Sequence, residues 1–153
     1  MQEGDTAPDF SAKDQNNNVV SLSDFKGKKV ALYFYPKDNT TTCTVQACNL
    51  RDNFTKLNDL GIVVLGISVD NEKSHKKFET KFSLPFTLLA DTDKKIVNEY
   101  GLWAQKKLWG REYMGTLRTT FLINETGKIE HIIEKVDSKN HAEQILKVWG
   151  ITG

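Results

Sequence analysis

The stretch KVALYFYPKDNTTTC, residues 29–43, predicts the fold of this chain. It begins as an almost continuous run of apolar and aromatic residues, Lys29–Tyr35, and a second such run, IVVLGISV, follows at Ile62–Val69. Runs of this kind are typical of strands that are buried on both faces, as in a parallel sheet. Pro36 ends the first run, and a polar loop then leads into a helix at about Cys43.

Helical and strand patterns alternate along the rest of the chain. Apolar residues at helical spacing predict helices, and short apolar or alternating segments predict strands. The predicted helices are Thr44–Leu60, Asn71–Lys81, Asp93–Tyr100 and Ser138–Trp149. The further strands are expected at Pro85–Ala90, Thr119–Ile123 and Lys128–Lys135, with a small N-terminal hairpin formed by Asp9–Ala12 and Val19–Leu22.

The order of these elements predicts one α/β domain over residues 1–153, since no Ser/Gly-rich linker divides the chain. Strands that alternate with helices imply a central, mostly parallel mixed β-sheet flanked by helices. An N-terminal β-hairpin and an antiparallel pair near the end complete it. This arrangement fits a thioredoxin-like fold, and other α/β folds fit it too.

Composition narrows the class of function. The 153 residues include 21 Lys plus Arg and 20 Asp plus Glu, so the net charge is +1. That balance leaves no excess of positive charge of the kind that binds nucleic acid or an anionic membrane. No apolar stretch approaches the roughly 20 residues of a membrane-spanning helix. The N-terminus, MQEGD, lacks the basic and then apolar pattern of a secretory signal, so we expect a cytoplasmic protein.

Cys43 is the first candidate for chemistry. It is expected where a buried strand has ended and a helix begins, and α/β sheets place their ligand sites at that edge. The unpaired amides and the dipole of a helix N-terminus stabilise negative charge, so a thiolate is favoured there. The alternative is that Cys43 only packs in the core, as free cysteines often do.

Cys48 is the second cysteine, five residues further along the same predicted helix. Five helical residues rise about 7.5 Å and leave the two side chains about 140° apart. A disulfide cannot form across that geometry while the helix is intact. The two thiols therefore either act independently or meet after the first turns of the helix unwind.

No metal or cofactor site is expected. The two cysteines lack the second pair of ligands that a structural zinc site needs. The three histidines, His75, His131 and His141, are scattered and are expected at the surface or at strand edges. The glycines form no phosphate-binding run.

Pro36, Thr40 and Cys43 stand in the pattern P-x-x-x-T-x-x-C, and the segment CTVQACNLRD follows. This pattern resembles the nucleophile motif of the peroxiredoxins, which are thiol peroxidases with a thioredoxin-like fold. The second segment is similar to the bacterioferritin-comigratory-protein group, or peroxiredoxin Q, whose members commonly carry a second cysteine five residues on. Further family landmarks occur in order at Gly4–Phe10, Leu22–Lys28, Ser68–Asp70, Leu88–Asp91 and Arg118–Ile123. The family usually reads T-P-G-C, whereas this chain has Thr41 and Thr42 before the cysteine.

The resemblance implies that Cys43 reduces hydrogen peroxide and organic hydroperoxides and becomes a sulfenic acid. It implies that Thr40 and Arg118 orient the peroxide and stabilise charge, and that Pro36 shields the thiolate. Cys48 would then resolve the sulfenic acid as a disulfide within one chain, which thioredoxin or a similar dithiol donor reduces. A monomer is expected, because the resolving thiol lies in the same chain.

Two other functions share parts of this pattern. A thioredoxin-like disulfide oxidoreductase would have the same fold, but it normally uses C-x-x-C. A non-enzymatic interaction domain would carry its cysteines incidentally. The segment Gly101–Leu117 is expected as a loop or short helix at the domain edge, or as an apolar rim for a bulky hydroperoxide, a donor protein or a second subunit.

Overall fold

The computed structural model of the chain describes residues 1–152, which form strands β1–β9 and helices α1–α5. The strands are β1 Ser11–Lys13, β2 Val19–Ser21, β3 Lys29–Phe34, β4 Ile62–Ser68, β5 Thr87–Ala90, β6 Trp103–Leu108, β7 Arg111–Thr116, β8 Thr119–Ile123 and β9 Ile129–Ile133. The α-helices are α1 Thr41–Asp52, α2 Phe54–Asp59, α3 Glu72–Phe82, α4 Lys95–Glu99 and α5 His141–Trp149. Short 3₁₀ turns lie at Leu22–Phe25 and Ser138–Asn140.

Seven strands form one mixed sheet in the order β2-β1-β5-β4-β3-β8-β9. The expected α/β sheet and N-terminal hairpin are observed, but the parallel part is smaller than predicted. Only the β3–β4 and β4–β5 pairs are parallel, and the other neighbouring strands run antiparallel. A hairpin, β1–β2 or β8–β9, is added at each side of the parallel centre. Its two strands pair antiparallel with each other, and its inner strand also runs antiparallel to the central strand that it joins.

The sheet separates two hydrophobic cores, which explains the continuous apolar run in β3. Successive side chains of a strand point to opposite faces, so a strand covered on both sides is apolar throughout. Ala31, Tyr33 and Tyr35 enter the core beneath α1, α3 and α5. Val30, Leu32 and Phe34 enter the core beneath α4 and the N-terminal segment.

The predicted helix Thr44–Leu60 is wrong at its start and in its middle. It begins three residues earlier, at Thr41, because Thr40 is extended and acts as the N-cap residue. It breaks at Asn53, whose Nδ2 donates to the carbonyl of Asn49 at 2.8 Å. A side chain that bonds the backbone four residues back competes with the regular helix. Cys43 therefore lies inside the first turn of α1.

The segment Gly101–Leu117 is not a loop or short helix, because it forms the hairpin β6–β7, a separate two-stranded sheet. Trp109 and Gly110 turn the chain with positive φ values of 55° and 78°. Two left-handed residues define the turn that suits the twist of a hairpin. Trp109 is 92% exposed at the tip. Among the helices described, none is long and apolar enough to cross a membrane.

Candidate active site

The start of α1 carries Cys43 at the edge of the sheet. The first bond within the helix runs from the Thr44 amide to the Thr40 carbonyl, at 2.8 Å. The amides of residues 41–43 precede that bond, so they belong to the unpaired donors of a helix N-terminus. Cys43 is only 2% exposed and packs in the core between α1 and β3. Its sulfur is thus held where the helix dipole favours negative charge.

Arg118 reaches this sulfur from the neighbouring strand. Thr119 pairs with Phe34 in the antiparallel register of β8 on β3, so Arg118 emerges where the chain leaves β3 for α1. Its Nη2 donates to the sulfur of Cys43 at 3.2 Å. The guanidinium keeps its positive charge at all physiological pH values and therefore stabilises a thiolate.

Gln46 is a site residue that sequence reasoning missed. Its Oε1 accepts a 2.6 Å hydrogen bond from Nη1 of Arg118, and its side chain is fully buried. It lies three residues after Cys43, on the same face of α1. The spacing C-x-x-Q was the available signal, since a polar residue beside a cysteine on a buried helix face needs a hydrogen-bond partner.

Thr40 and Pro36 lie in the loop that joins β3 to α1. The hydroxyl of Thr40 donates to the carbonyl of Lys37 at 2.9 Å, and it makes no capping bond to a helix amide. The Thr40 hydroxyl, to which the resemblance assigns a role in orienting the peroxide, thus directs its proton to its own loop. Pro36 follows β3 and is half-buried. The structure brings Cys43 and Arg118 into contact, with Thr40 and Pro36 on the adjoining loop.

Cys48 lies on α1 with Cys43, and both are free thiols. It is half-buried, whereas Cys43 is buried. The next residue, Asn49, ties α1 to the start of α5. Its Nδ2 donates to the carbonyl of Lys139 at 2.9 Å, and its Oδ1 accepts from the amide of Ala142 at 2.8 Å. Asn49 therefore holds α1 to the start of α5 directly after the helical turns that carry the two thiols.

Tyr33 forms part of the apolar wall beside the thiols. Its hydroxyl is buried and has no hydrogen-bond partner among the described residues. Burial raises the pKa of Tyr33 well above its usual value, and negative charge at Cys43 and Asp38 raises it further. The phenol is therefore neutral. Because this buried wall carries no charge and excludes water, the local dielectric constant stays low, and the attraction between Arg118 and a thiolate is strengthened.

The expectation that the histidines lie at the surface or at edges is wrong for two of them. His75 and His141 are fully buried, while His131 is half-buried on β9. Burial lowers the pKa of His141 to about 4. Within residues 1–152, no three or more His, Cys, Asp or Glu residues are grouped so that they could hold a metal ion.

Solved structures share this architecture. A cysteine-to-serine variant of Xylella fastidiosa PrxQ superposes with a TM-score of 0.91 at 28% identity, covering 98% of this chain and 96% of that one. The bacterioferritin comigratory protein of Xanthomonas campestris, described with alkyl peroxide reduction activity, gives a TM-score of 0.88 at 25% identity and covers 98% of this chain and 96% of its own. In sequence, the chain is 44% identical to the peroxiredoxin Bcp of Escherichia coli K12 over 146 residues, 95% of this chain and 94% of that one.

The thioredoxin-like fold and the buried thiol beside an arginine define a thiol peroxidase of the peroxiredoxin class. The resemblance predicted from the motifs around Cys43 is thereby confirmed. Residues 3–132 match the AhpC/TSA family, and the chain belongs to that family.

Proposed function

We propose that Cys43 is the nucleophile of this peroxidase and that hydrogen peroxide and organic hydroperoxides are its substrates. The observation that carries the proposal is the 3.2 Å contact between Nη2 of Arg118 and the sulfur of Cys43, at the N-terminal turn of α1. A thiolate is the reactive form of cysteine, and both the helix dipole and the guanidinium favour it. The alkyl peroxide reduction described for the Xanthomonas campestris protein supports the same chemistry here.

The reaction is a two-electron displacement at oxygen. The thiolate of Cys43 attacks the distal peroxide oxygen, an S–O bond forms, and the O–O bond breaks. The proximal oxygen takes the electron pair and a proton and leaves as water or an alcohol, so the cysteine is oxidised to a sulfenic acid. Arg118 stabilises the negative charge that accumulates on the oxygens as they separate. Thr40 and Pro36 form the adjoining wall and limit the access of water.

Cys48 would resolve this sulfenic acid. Its thiolate attacks the sulfur of Cys43, an S–S bond forms, and the sulfenic oxygen leaves as water after protonation. Both residues lie on α1, so the first turns of the helix must unwind before the two sulfurs can meet. Asn49 would limit that unwinding to the segment that contains both thiols.

A dithiol protein of the thioredoxin type would return the disulfide to two thiols by exchange. Intramolecular resolution needs no second subunit, so we propose that the chain works as a monomer and as one domain over residues 1–153. The near-zero net charge argues against nucleic acid or an anionic membrane as a partner. Thiols that are kept reduced between turnovers fit a cytoplasmic location.

The test is a thiol count after the reduced protein meets one equivalent of hydrogen peroxide. We expect both thiols to disappear within seconds, and the denatured mass to fall by two hydrogens without a covalent dimer. In Cys48→Ser, Cys43 should accumulate as a sulfenic acid that a dimedone probe labels. Cys43→Ser is the matched control and should consume no peroxide. Survival of both thiols in the unsubstituted protein would overturn the proposal.

A further inference from the structure

A buried ion pair lies behind the loop that leads to Cys43. Nδ1 of His75 lies 2.7 Å from Oδ2 of Asp38, and the side chains of these two residues are 0% and 3% exposed. Asp38 belongs to the loop between β3 and α1, and His75 lies in the first half of α3. Two ionisable groups are rarely buried together without a structural reason, because removing charge from water is costly.

The partners of His75 define its protonation. Its Nε2 lies 2.9 Å from the carbonyl oxygen of Leu89, which can only accept, so Nε2 donates. Its Nδ1 faces the carboxylate of Asp38, which also accepts hydrogen bonds from Tyr35 at 2.5 Å and from Ser74 at 2.7 Å. Both ring nitrogens thus face acceptors, and this is the environment of an imidazolium beside an ionised carboxylate.

The pair fixes the loop to three elements of the fold. The Asp38 amide donates to Oδ2 of Asp70 beyond β4, at 2.8 Å, which adds a backbone tie to the side-chain ties from α3 and from Tyr35, the residue after β3. Burial by itself lowers the pKa of His75, but the hydrogen bond and charge of Asp38 outweigh it, so the pKa of His75 is raised. The other ionisable side chains around Asp38 are Tyr35, Asp70, Lys73, Lys77 and Lys81, the lysines lining a groove of about 410 Å³ over the loop.

We propose that His75 and Asp38 are positioning residues for peroxide reduction, and that the protonated pair holds the loop of Pro36 and Thr40 against the N-terminus of α1. Thr40 is the N-cap residue of the helix that presents Cys43, so a shift of Asp38 moves the peroxide-facing loop relative to the sulfur. When the imidazolium loses its proton, one ring nitrogen is left as an acceptor opposite either the Asp38 carboxylate or the Leu89 carbonyl. The charge that attracts His75 to Asp38 is then lost, one of the two hydrogen bonds of the ring is replaced by a repulsion, and the tie between the loop and α3 weakens.

The pH dependence of peroxide reduction follows from this loss of the proton on His75. The raised pKa means that the charged pair persists to higher pH than a free imidazolium would, and that it is lost as the pH rises through the pKa of folded His75. Peroxide reduction should therefore fall on the alkaline side of that pKa. This inference rests on the proposed chemistry of Cys43, which peroxide consumption by the unsubstituted protein tests separately.

Three variants of the full chain test the pair. His75→Gln keeps a donor but removes the charge, and it should slow peroxide reduction by about tenfold or more at neutral pH. Asp38→Asn can donate its amide to a neutral His75, so it should retain much of the rate but lose the alkaline fall. His131→Gln is the matched control, because His131 is a half-buried residue of β9. It should leave both the rate and its pH profile unchanged.

The readouts separate positioning from general damage. Stopped-flow peroxide reduction between about pH 6 and pH 10 is compared with alkylation of Cys43 by iodoacetamide, which needs the thiolate but no peroxide-binding loop. ¹⁵N NMR of the imidazoles, assigned through His75→Gln, should show both nitrogens of His75 protonated at neutral pH. If His75 is neutral at pH 7, or if His75→Gln reduces peroxide within twofold of the unsubstituted rate, the proposal is wrong. An equal loss of alkylation and peroxide reduction would also overturn it, because a positioning role predicts the larger loss for peroxide.

Discussion

Nη2 of Arg118 lies 3.2 Å from the sulfur of Cys43, although the two residues are 75 positions apart in the sequence. The contact depends on β8 pairing antiparallel with β3, which brings Arg118 to the point where the chain turns into α1. The same guanidinium donates to Gln46 through Nη1, so its two terminal nitrogens are divided between the sulfur of Cys43 and the oxygen of a buried amide. The arrangement of two separate N–H donors on the guanidinium, and not only its charge, therefore defines the site.

Arg118→Lys should lower the second-order rate of peroxide reduction by about 10²-fold, because an ammonium cannot contact the sulfur and Gln46 together in the same planar geometry. Some attraction for the thiolate remains, since the charge is kept. Stopped-flow measurement of peroxide consumption by the reduced protein gives the rate. Arg111→Lys, at an exposed position of β7, is the matched control and should leave this rate unchanged. A change of less than threefold in Arg118→Lys would show that charge alone suffices.

Gln46→Met should reduce the same rate by about tenfold, with little loss of stability. Methionine fills a similar volume but cannot accept the 2.6 Å bond from Nη1 of Arg118, so the guanidinium is free to rotate away from Cys43. Stability should change little because Nε2 of Gln46 is already buried without a partner among the described residues. Peroxide consumption and urea denaturation measure the two effects.

The matched control for this change is Gln105→Met, since Gln105 is an exposed residue of β6. A crystal structure of Gln46→Met should show Arg118 displaced from the sulfur. If the guanidinium stays in place and the rate is unchanged, Gln46 has no part in positioning it.

The sequence was sufficient to predict the strands and helices that depend only on the local pattern of apolar and polar residues. The two apolar runs became β3 and β4, and the cysteine expected near a helix start lies in the first turn of α1. Local pattern could not show that a hairpin stands at each side of the parallel centre, because strand order depends on long-range pairing. It also failed at Asn53, where one side chain breaks a continuous apolar stripe.

The site was predicted where it is contiguous in sequence and missed where it is assembled from several elements. Cys43 and its loop could be read directly, and Arg118 came from the family resemblance. Gln46 was missed because its role exists only once Arg118 arrives from β8. His75 was expected at the surface because a lone histidine carries no sign of the carboxylate that it meets across the fold.

Asn49→Ala should destabilise the protein by about 2 kcal/mol, because it removes the bonds to the Lys139 carbonyl and to the part-buried Ala142 amide at the start of α5. Urea denaturation of the reduced protein measures this loss. The variant should also form the Cys43–Cys48 disulfide faster after peroxide addition, since α1 then opens more readily. Loss of the dimedone-reactive sulfenic acid over time follows that step.

Asn98→Ala removes only a local bond, to the Lys94 carbonyl, and is the matched control for stability. It should neither lower the urea midpoint by a comparable amount nor alter disulfide formation. A disulfide that forms at the same rate in Asn49→Ala as in the unsubstituted protein would argue that unwinding of α1 does not limit resolution.

His141 should make the protein less stable as the pH falls from neutral. Its Nε2 shares a hydrogen bond with the hydroxyl of Thr120 at 2.8 Å, and burial lowers its pKa from 6.5 to about 4. Between these two values the unfolded chain binds a proton that the folded chain refuses, so the free energy of unfolding decreases with falling pH. The loss amounts to about 2 kcal/mol between pH 7.5 and pH 5.

His141→Gln removes this titration but leaves the carboxylates and His75 in place, so subtracting the two pH profiles isolates the contribution of His141. We expect the variant to be less stable than the unsubstituted protein at pH 7.5, because the hydrogen bonds of a fully buried ring are replaced by those of a smaller amide. That deficit should shrink by about 2 kcal/mol at pH 5, as the unsubstituted protein loses its advantage. Urea denaturation at the two pH values measures it. A deficit that is the same at both pH values would mean that folded and unfolded His141 take up a proton over the same pH range, and Thr120 and Gln144 would then both have to accept hydrogen bonds from the protonated ring at pH 5.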